Sequence, residues 1–245
     1  MISLDAWQWT LAAVAAIVVG ISKSGIGGLG MLAVVLFAQI MPAKQATGVV
    51  LPLLCFGDIV GAIYYWKHAN WHHLWRLFPW TAAGVVIGYF ALGVIDDRQA
   101  RLMIGGIVLG LVLMHLIRQR VAGHATEHGA WFAPTIGVLA GFTTLVANAA
   151  GPLMAIYMLA MRMPKMDYVG TSAVFFLLLN LFKVPFMVHL GLINPASFSL
   201  NLALAPLVFA GAWVGRKLVV RIDQRAFENL ALALSLLAGV KLLFF

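Results

Sequence analysis

This chain has little of what soluble proteins use to face water. Charged residues make up 10% of its 245 residues, and only 8 of them are acidic. A soluble domain of this size carries about 25% charge. No polar stretch is long enough for a separate soluble domain, and apolar runs of membrane length repeat from end to end. There is one cysteine, Cys55, inside an apolar run. That excludes a disulfide framework and any CxxC metal spacing, and leaves Cys55 as core filler. The N-terminal residues carry Asp5 and no basic n-region, so no cleaved signal peptide is expected there.

What is present in excess is positive charge, +8 overall. The bases fall in short clusters between apolar segments, the distribution of membrane topology signals and not of a phosphate-binding face. Nucleic acid is therefore not an expected partner. The lipid bilayer is.

The chain is also written twice. Gly20 and Gly30 recur as Gly141 and Gly151, and Pro42, Gly48 and Asp58 recur as Pro164, Gly170 and Asn180. Pro79, Gly84, Gly88, Asp96 and Arg98 recur as Pro206, Gly211, Gly215, Asp223 and Arg225, all at one offset of 127. Duplication in a hydrophobic chain is the mark of a secondary transporter, with its substrate site between the halves at interrupted helices.

Hydropathy predicts helices near 6–19, 27–40, 45–66, 74–94 and 99–117, then 131–146, 152–161, 168–188, 195–220 and 224–245. The expected fold is therefore an all-α polytopic membrane protein with a first repeat over 1–117, a cytoplasmic linker over 118–130 and a second repeat over 131–245. The first two helices of each repeat are short. About fourteen residues rise roughly 21 Å, less than a hydrocarbon core of about 30 Å. Each short pair is divided by a polar break, Ser22 to Gly28 in one half and Asn148 to Pro152 in the other. Such backbone is tolerated only inside protein or against a water-filled cavity. Each repeat then reads as a hairpin of short broken helices plus three transmembrane helices, which inverts the second repeat relative to the first. With that inversion, Lys67, Arg76, Arg118, Arg120, Arg162, Lys165, Arg216, Lys217, Arg221 and Arg225 share one side, and Lys44, Arg98 and Arg101 the other. The positive-inside rule makes the first side cytoplasmic.

Several residues carry candidate chemistry. Gly25, Gly27, Gly28 and Gly30 match GxGxxG, but no strand precedes them and Gln45 stands where a ribose-binding acid belongs, so the dinucleotide reading fails. What remains is a set of bare N–H groups at a helix start, suited to an anion, with Lys23 and Ser24 beside them. A tight turn between packed helices is the competing reading. In the second break, Asn148, Ala149 and Gly151 are the counterparts, and Pro152 fits the first helical turn. Thr143 and Thr144 are expected to bond to their own backbone. Asp58 is the deepest acid, its repeat mate is Asn180, and Lys183 follows Asn180 by one turn. Asp58 is either a proton-carrying or gating group or one member of an ion pair with a lysine. Thr47, Thr171 and Ser172 begin matching helices and serve either as neutral donors to substrate or as caps. Gly57-xxx-Gly61, Gly84-xxx-Gly88, Gly106-xxx-Gly110 and Gly211-xxx-Gly215 allow close helix approach, mainly within the monomer, and leave a homo-oligomer open. His68, His72 and His73 have no acidic ligand near, so no metal or other cofactor is expected. Adjacent Ser22 and Lys23 seldom face each other as a nucleophile pair.

These same residues resemble a known family. The run Gly-Ile-Ser-Lys-Ser-Gly-Ile-Gly-Gly-Leu-Gly over 20–30, Ala46-Thr47-Gly48 and Asp58 resemble the sulfite exporter TauE/SafE family, also called the 4-toluenesulfonate uptake permeases. Val146 to Pro152, Gly170-Thr171-Ser172-Ala173 and Asn180 to Pro185 resemble the second-half pattern of one of its branches. The resemblance implies a bacterial inner-membrane carrier of small sulfur-containing anions: sulfite, sulfoacetate or other organosulfonates. On the reading of the residues above, the substrate-binding set is Lys23, Ser24, Gly25, Gly27, Gly28, Asn148, Ala149, Gly151, Asn180 and Lys183, with Asp58 as a proton-coupling or gating group. The competing class is a membrane-embedded enzyme or assembly factor using the same cavity, but no nucleophile, base or metal set can be assembled for it.

The charge asymmetry generates a first prediction. A cysteine placed at Thr126 should be labelled only from the cytoplasm and one at the C-terminus only from outside; labelling both from one side would overturn the inverted arrangement.

Overall fold

The computed structural model describes residues 4–23, 29–121 and 131–218, with isolated positions beyond. Among the described residues there is no strand; the elements are helices α1 (Ala6–Ser22), α2 (Leu29–Phe37), α3 (Ala43–Tyr65), α4 (Trp71–Val94), α5 (Asp97–Val121), α6 (Phe132–Ala147), α7 (Gly151–Ala160), α8 (Lys165–His189) and α9 (Pro195–Leu218). A short 3-10 turn, Trp66–His68, follows α3. Four of the long helices are apolar enough to cross a membrane. The expected final segment, 224–245, lies outside the described residues apart from isolated positions. Helix α5 continues to Val121, beyond residue 117 where the hydropathy pattern ends the first repeat.

Short-range chemistry sets the ends. Asp5 and Gln8 form a reciprocal capping box that starts α1. Asn70 caps α4 by accepting from the His73 N–H. At the end of α6, Asn148 takes the left-handed conformation at φ 49°, which Asn tolerates better than other side-chain-bearing residues.

The helices pack in three pairs: α1 on α9, α4 on α6, and α3 on α8. Glycine makes the first two contacts possible. A Cβ on Gly20 would collide with Val208 and Gly211 of α9, and one on Gly211 would collide with Ile17 of α1. A Cβ on Gly141 would collide with Thr81 and Gly84 of α4, and one on Gly84 with Val138 of α6. These are the same two contacts in repeat terms, since Gly20 matches Gly141 and Gly84 matches Gly211. Backbones approaching this closely gain van der Waals contact that lipid does not offer.

The third pair has its own symmetry. Gly48, near the start of α3, lies on Leu192 just past the end of α8, while its repeat mate Gly170, near the start of α8, lies on Tyr65 and His68 at the end of α3. The matching helices α3 and α8 therefore run antiparallel. Asp58 and Asn180 meet at their middle.

Not every glycine pair packs helix on helix. Gly57 faces the side chain of Lys23, and Gly61 meets Ala173 and the Lys23 carbonyl, so this pair seats a lysine. Gly106 and Gly110 meet nothing within 4 Å among the described residues.

Replacing Gly141 by Ala should lower stability by about 1–3 kcal/mol, the range for overpacking, because its Cβ would enter the backbone of α4. Gly110→Ala should be near neutral. Thermal unfolding in detergent distinguishes them; equal melting temperatures would refute the packing account.

Candidate functional site

Three broken or half-buried elements converge where α3 crosses α8: the end of α1, the α6–α7 break and the middle of α8. From α1, Lys23 sends its stem over Gly57 and places Nζ 2.7 Å from Asp58 Oδ1. The other carboxylate oxygen, Oδ2, accepts from Asn180 Nδ2 at 2.6 Å. Asn180 Oδ1 in turn accepts from Lys183 Nζ at 3.0 Å. Lys183 also donates to Asn148 Oδ1 at 2.6 Å and to Thr144 Oγ1 at 3.1 Å. The chain ends where Asn148 Nδ2 donates to the Thr47 carbonyl at 3.1 Å. Every link joins parts of the two repeats or braces one that does.

The two lysines are placed differently. Lys183 is fully buried and all three of its donors meet neutral oxygens. Lys23 pairs with a carboxylate, and its side chain is 15% exposed against 2% for Asp58. It also stands 5.6 Å from the Phe176 ring centroid, within cation–π range.

Beside this network lies a cavity of about 120 Å³, close to the ~150 Å³ that holds a benzene-sized molecule. Its polar lining is formed by Lys23, Asp58, Asn148 and Asn180, with Ser22, Thr144 and Ser172. Its apolar walls are Met31, Leu54, Met154 and Phe176, and it extends along α3 and α8 to Tyr65 and Tyr168.

Of the residues named from sequence, Lys23, Asp58, Asn148, Ala149, Gly151, Asn180 and Ser172 line this cavity. Lys183 does not; it stands behind Asn148 and Asn180 and holds their amide oxygens. Ser24, Gly25, Gly27 and Gly28 lie outside the described residues. The Thr47 hydroxyl donates to Lys44 O within its own helix, and only its carbonyl joins the network. Thr171 accepts from the Asn70 N–H and so ties α8 to the start of α4. Ser172 donates to Met158 Sδ at 3.2 Å.

Thr144 departs from the expectation that both threonines bond to their own helix. Thr143 does so, to Leu139 and Ala140, but Thr144 is the third acceptor for Lys183. The buried ammonium needs a third oxygen acceptor, and a hydroxyl can accept from it with a lone pair while keeping its own O–H as a donor. The apolar walls also went unread in the sequence. Met31, Leu54 and Phe176 look like any other core residue there; only the fold shows that they face a cavity.

An ion pair half open to a cavity should couple more strongly than surface pairs, about 0–1 kcal/mol, and less than fully buried ones, where losing one partner costs about 3–5 kcal/mol. A double-mutant cycle of Lys23→Ala and Asp58→Ala, read by thermal or denaturant unfolding, should return about 2 kcal/mol. A coupling near zero would mean that the pair does not hold the site.

The family model described as Sulfite exporter TauE/SafE matches residues 12–242 of this chain. No curated protein and no solved structure matches it.

Proposed function

The chain belongs to the sulfite exporter TauE/SafE family, a family of membrane transporters and not of enzymes, and on that premise we propose that it carries small organic sulfonates through the cavity between α3 and α8. The observation that supports an organosulfonate over bare sulfite is the mixed lining of the cavity, charged and amide groups beside apolar side chains. Sulfite has no apolar part, and its hydration would be poorly replaced by Met31, Leu54, Met154 and Phe176. An alkyl- or arylsulfonate matches both kinds of lining: oxygens at Lys23, Asn148 and Asn180, and its tail along the apolar wall.

Lysine suits this task. Its compact charge on a flexible stem holds an oxyanion without the bidentate grip of arginine, and a carrier must release what it binds. Asp58 is the competing partner for that charge. Lys23 must turn from Asp58 to hold the substrate, and a proton on Asp58 would loosen that pair further, which makes Asp58 the proton-coupling or gating residue of this reading. Lys183 acts from behind by fixing the two amides.

The repeat architecture agrees with alternating access. The antiparallel course of α3 and α8 and the exchanged glycine contacts support two inverted-topology repeats, each a short-helix hairpin followed by three transmembrane helices. With the basic loops in the cytoplasm, the cavity reaches toward the cytoplasmic end through Tyr65 and Tyr168. The site and its ionic network then lie near the midplane of a multi-pass protein, which we assign to the bacterial inner membrane.

Binding should be measured by thermal stabilisation of the purified protein, since a ligand of the native state raises stability. Ethanesulfonate and benzenesulfonate should stabilise more than sulfite or sulfate at equal concentration. Lys23→Ala should weaken sulfonate binding ten- to a hundredfold, corresponding to about 1.5–3 kcal/mol for hydrogen bonds to a charged group. Phe176→Ala should reduce the preference for the larger tail while sparing the smaller sulfonate. Stabilisation by sulfite alone, or an unchanged Lys23→Ala, would reject this assignment of the site.

A further inference from the structure

The formal charges at the site do not cancel. Counted as two ammoniums and one carboxylate, Lys23, Lys183 and Asp58 sum to one uncompensated positive charge. Lys183 is the excess cation, fully buried and surrounded by three neutral oxygens. It stands only one amide away from the cavity, behind both Asn148 and Asn180. A net charge left in a low-dielectric interior is costly, and a substrate of opposite charge is what balances it.

Neutrality can be reached in two ways. A monovalent anion beside ionised Asp58 brings the loaded site to zero. A divalent anion brings it to zero only if Asp58 also binds a proton. Lys183 enters this count as the ammonium that its three oxygen acceptors suit, and the rest of the carboxylate's surroundings add no further formal charge. Lys23 reaches it from α1, Asn180 and Lys183 from α8, and Thr144 and Asn148 are the neutral groups of the α6 side; Cys55 is on its own helix, and Tyr65 and Tyr168 stand at the far end of the cavity. Residues 24–28 contain no titratable side chain.

From this charge count, which rests on the cavity being the anion site, we infer that substrate valence sets the proton stoichiometry: a monovalent sulfonate binds without a proton, and a divalent one binds together with a proton taken up by Asp58. Lys183 acts in this scheme as a positioning and electrostatic residue, not as a contact. The proton arrives from solvent through the cavity and leaves Asp58 when the dianion departs, and no covalent bond in the substrate changes.

The test uses two probes that stay fully ionised near neutral pH, ethanesulfonate and ethanedisulfonate. Their dissociation constants should be measured by calorimetry on the intact wild-type protein between about pH 5.5 and 8. By proton linkage, uptake of one proton tightens binding tenfold for each pH unit lowered, flattening where free Asp58 is already protonated. The monosulfonate should show no such slope, and the disulfonate should show it. Asp58→Asn should remove the slope and shift preference toward the dianion at neutral pH by at least tenfold. Equal slopes for the two probes in wild type, a tenfold-per-unit slope for the monosulfonate such as protonation of a neutral Lys183 would give, or a disulfonate slope that survives Asp58→Asn, would overturn the inference while leaving the sulfonate site intact. Failure of both probes to bind would overturn the site assignment and the inference together.

Discussion

A fully buried ammonium can donate three hydrogen bonds and accept none, and this asymmetry of Lys183 orients the rest of the site. It takes the oxygens of Asn148, Asn180 and Thr144. Both amides are then forced to present nitrogen elsewhere: Asn148 to the Thr47 carbonyl, Asn180 to Asp58. With Asp58 Oδ2 so engaged, Oδ1 is left for Lys23. Swapping either amide would set N–H against ammonium and oxygen against carbonyl or carboxylate. One donor-only group thus orients six others, directly or in turn, and the left-handed turn at Asn148 brings one of those amides within reach.

The helix packing explains why the network sits where it does. Gly20 with Gly211, and Gly141 with Gly84, clamp the short helices α1 and α6 onto α9 and α4. Their far ends, Lys23 and Asn148, are delivered to the same crossing of α3 and α8. That crossing brings repeat mates face to face, which would be a liability in an exact duplication. Two aspartates there would repel, and two asparagines would leave Lys23 without a counter-charge. Asp58 with Asn180 avoids both outcomes: an anion accepts from an amide across the junction, and each half keeps a distinct cationic partner. The chemical inequality of the halves is what permits their close approach.

Much of this was legible in the residues. The glycine and proline punctuation located the breaks, and the helices fall close to the hydropathy spans: 45–66 became Ala43–Tyr65, and 74–94 became Trp71–Val94. Lys23, Asp58, Asn180 and Lys183 stood out because ionisable and amide groups are rare in apolar segments. Which lysine Asp58 would choose could not be read. Lys23 and Lys183 were both open as its partner, and the structure pairs it with Lys23 while Lys183 binds neutral oxygens. Spacing along a helix does not reveal what reaches across to it. The Gly57-xxx-Gly61 pair misled in a related way: close approach was the right reading, but a lysine stem does the approaching. The apolar wall had no signal at all, since a methionine facing a cavity is written like one facing a core.

A carrier must cross between its two faces both loaded and empty, and the Lys23–Asp58 pair bears on the second half of that cycle. An anion-binding ammonium left bare in the apolar layer would be poorly solvated whenever the site was vacant, and the empty protein would be trapped facing water. On the proposed reading Asp58 prevents this by serving as a resident anion that Lys23 holds until substrate replaces it. The replacement is cheap because Lys23 is the network member partly open to the cavity, with Phe176 alongside to support the charge during exchange. Lys183 has no such freedom, being enclosed and triply bonded. On this reading the two lysines divide the work: the mobile one exchanges partners, and the fixed one keeps the field and the amides in place through every exchange.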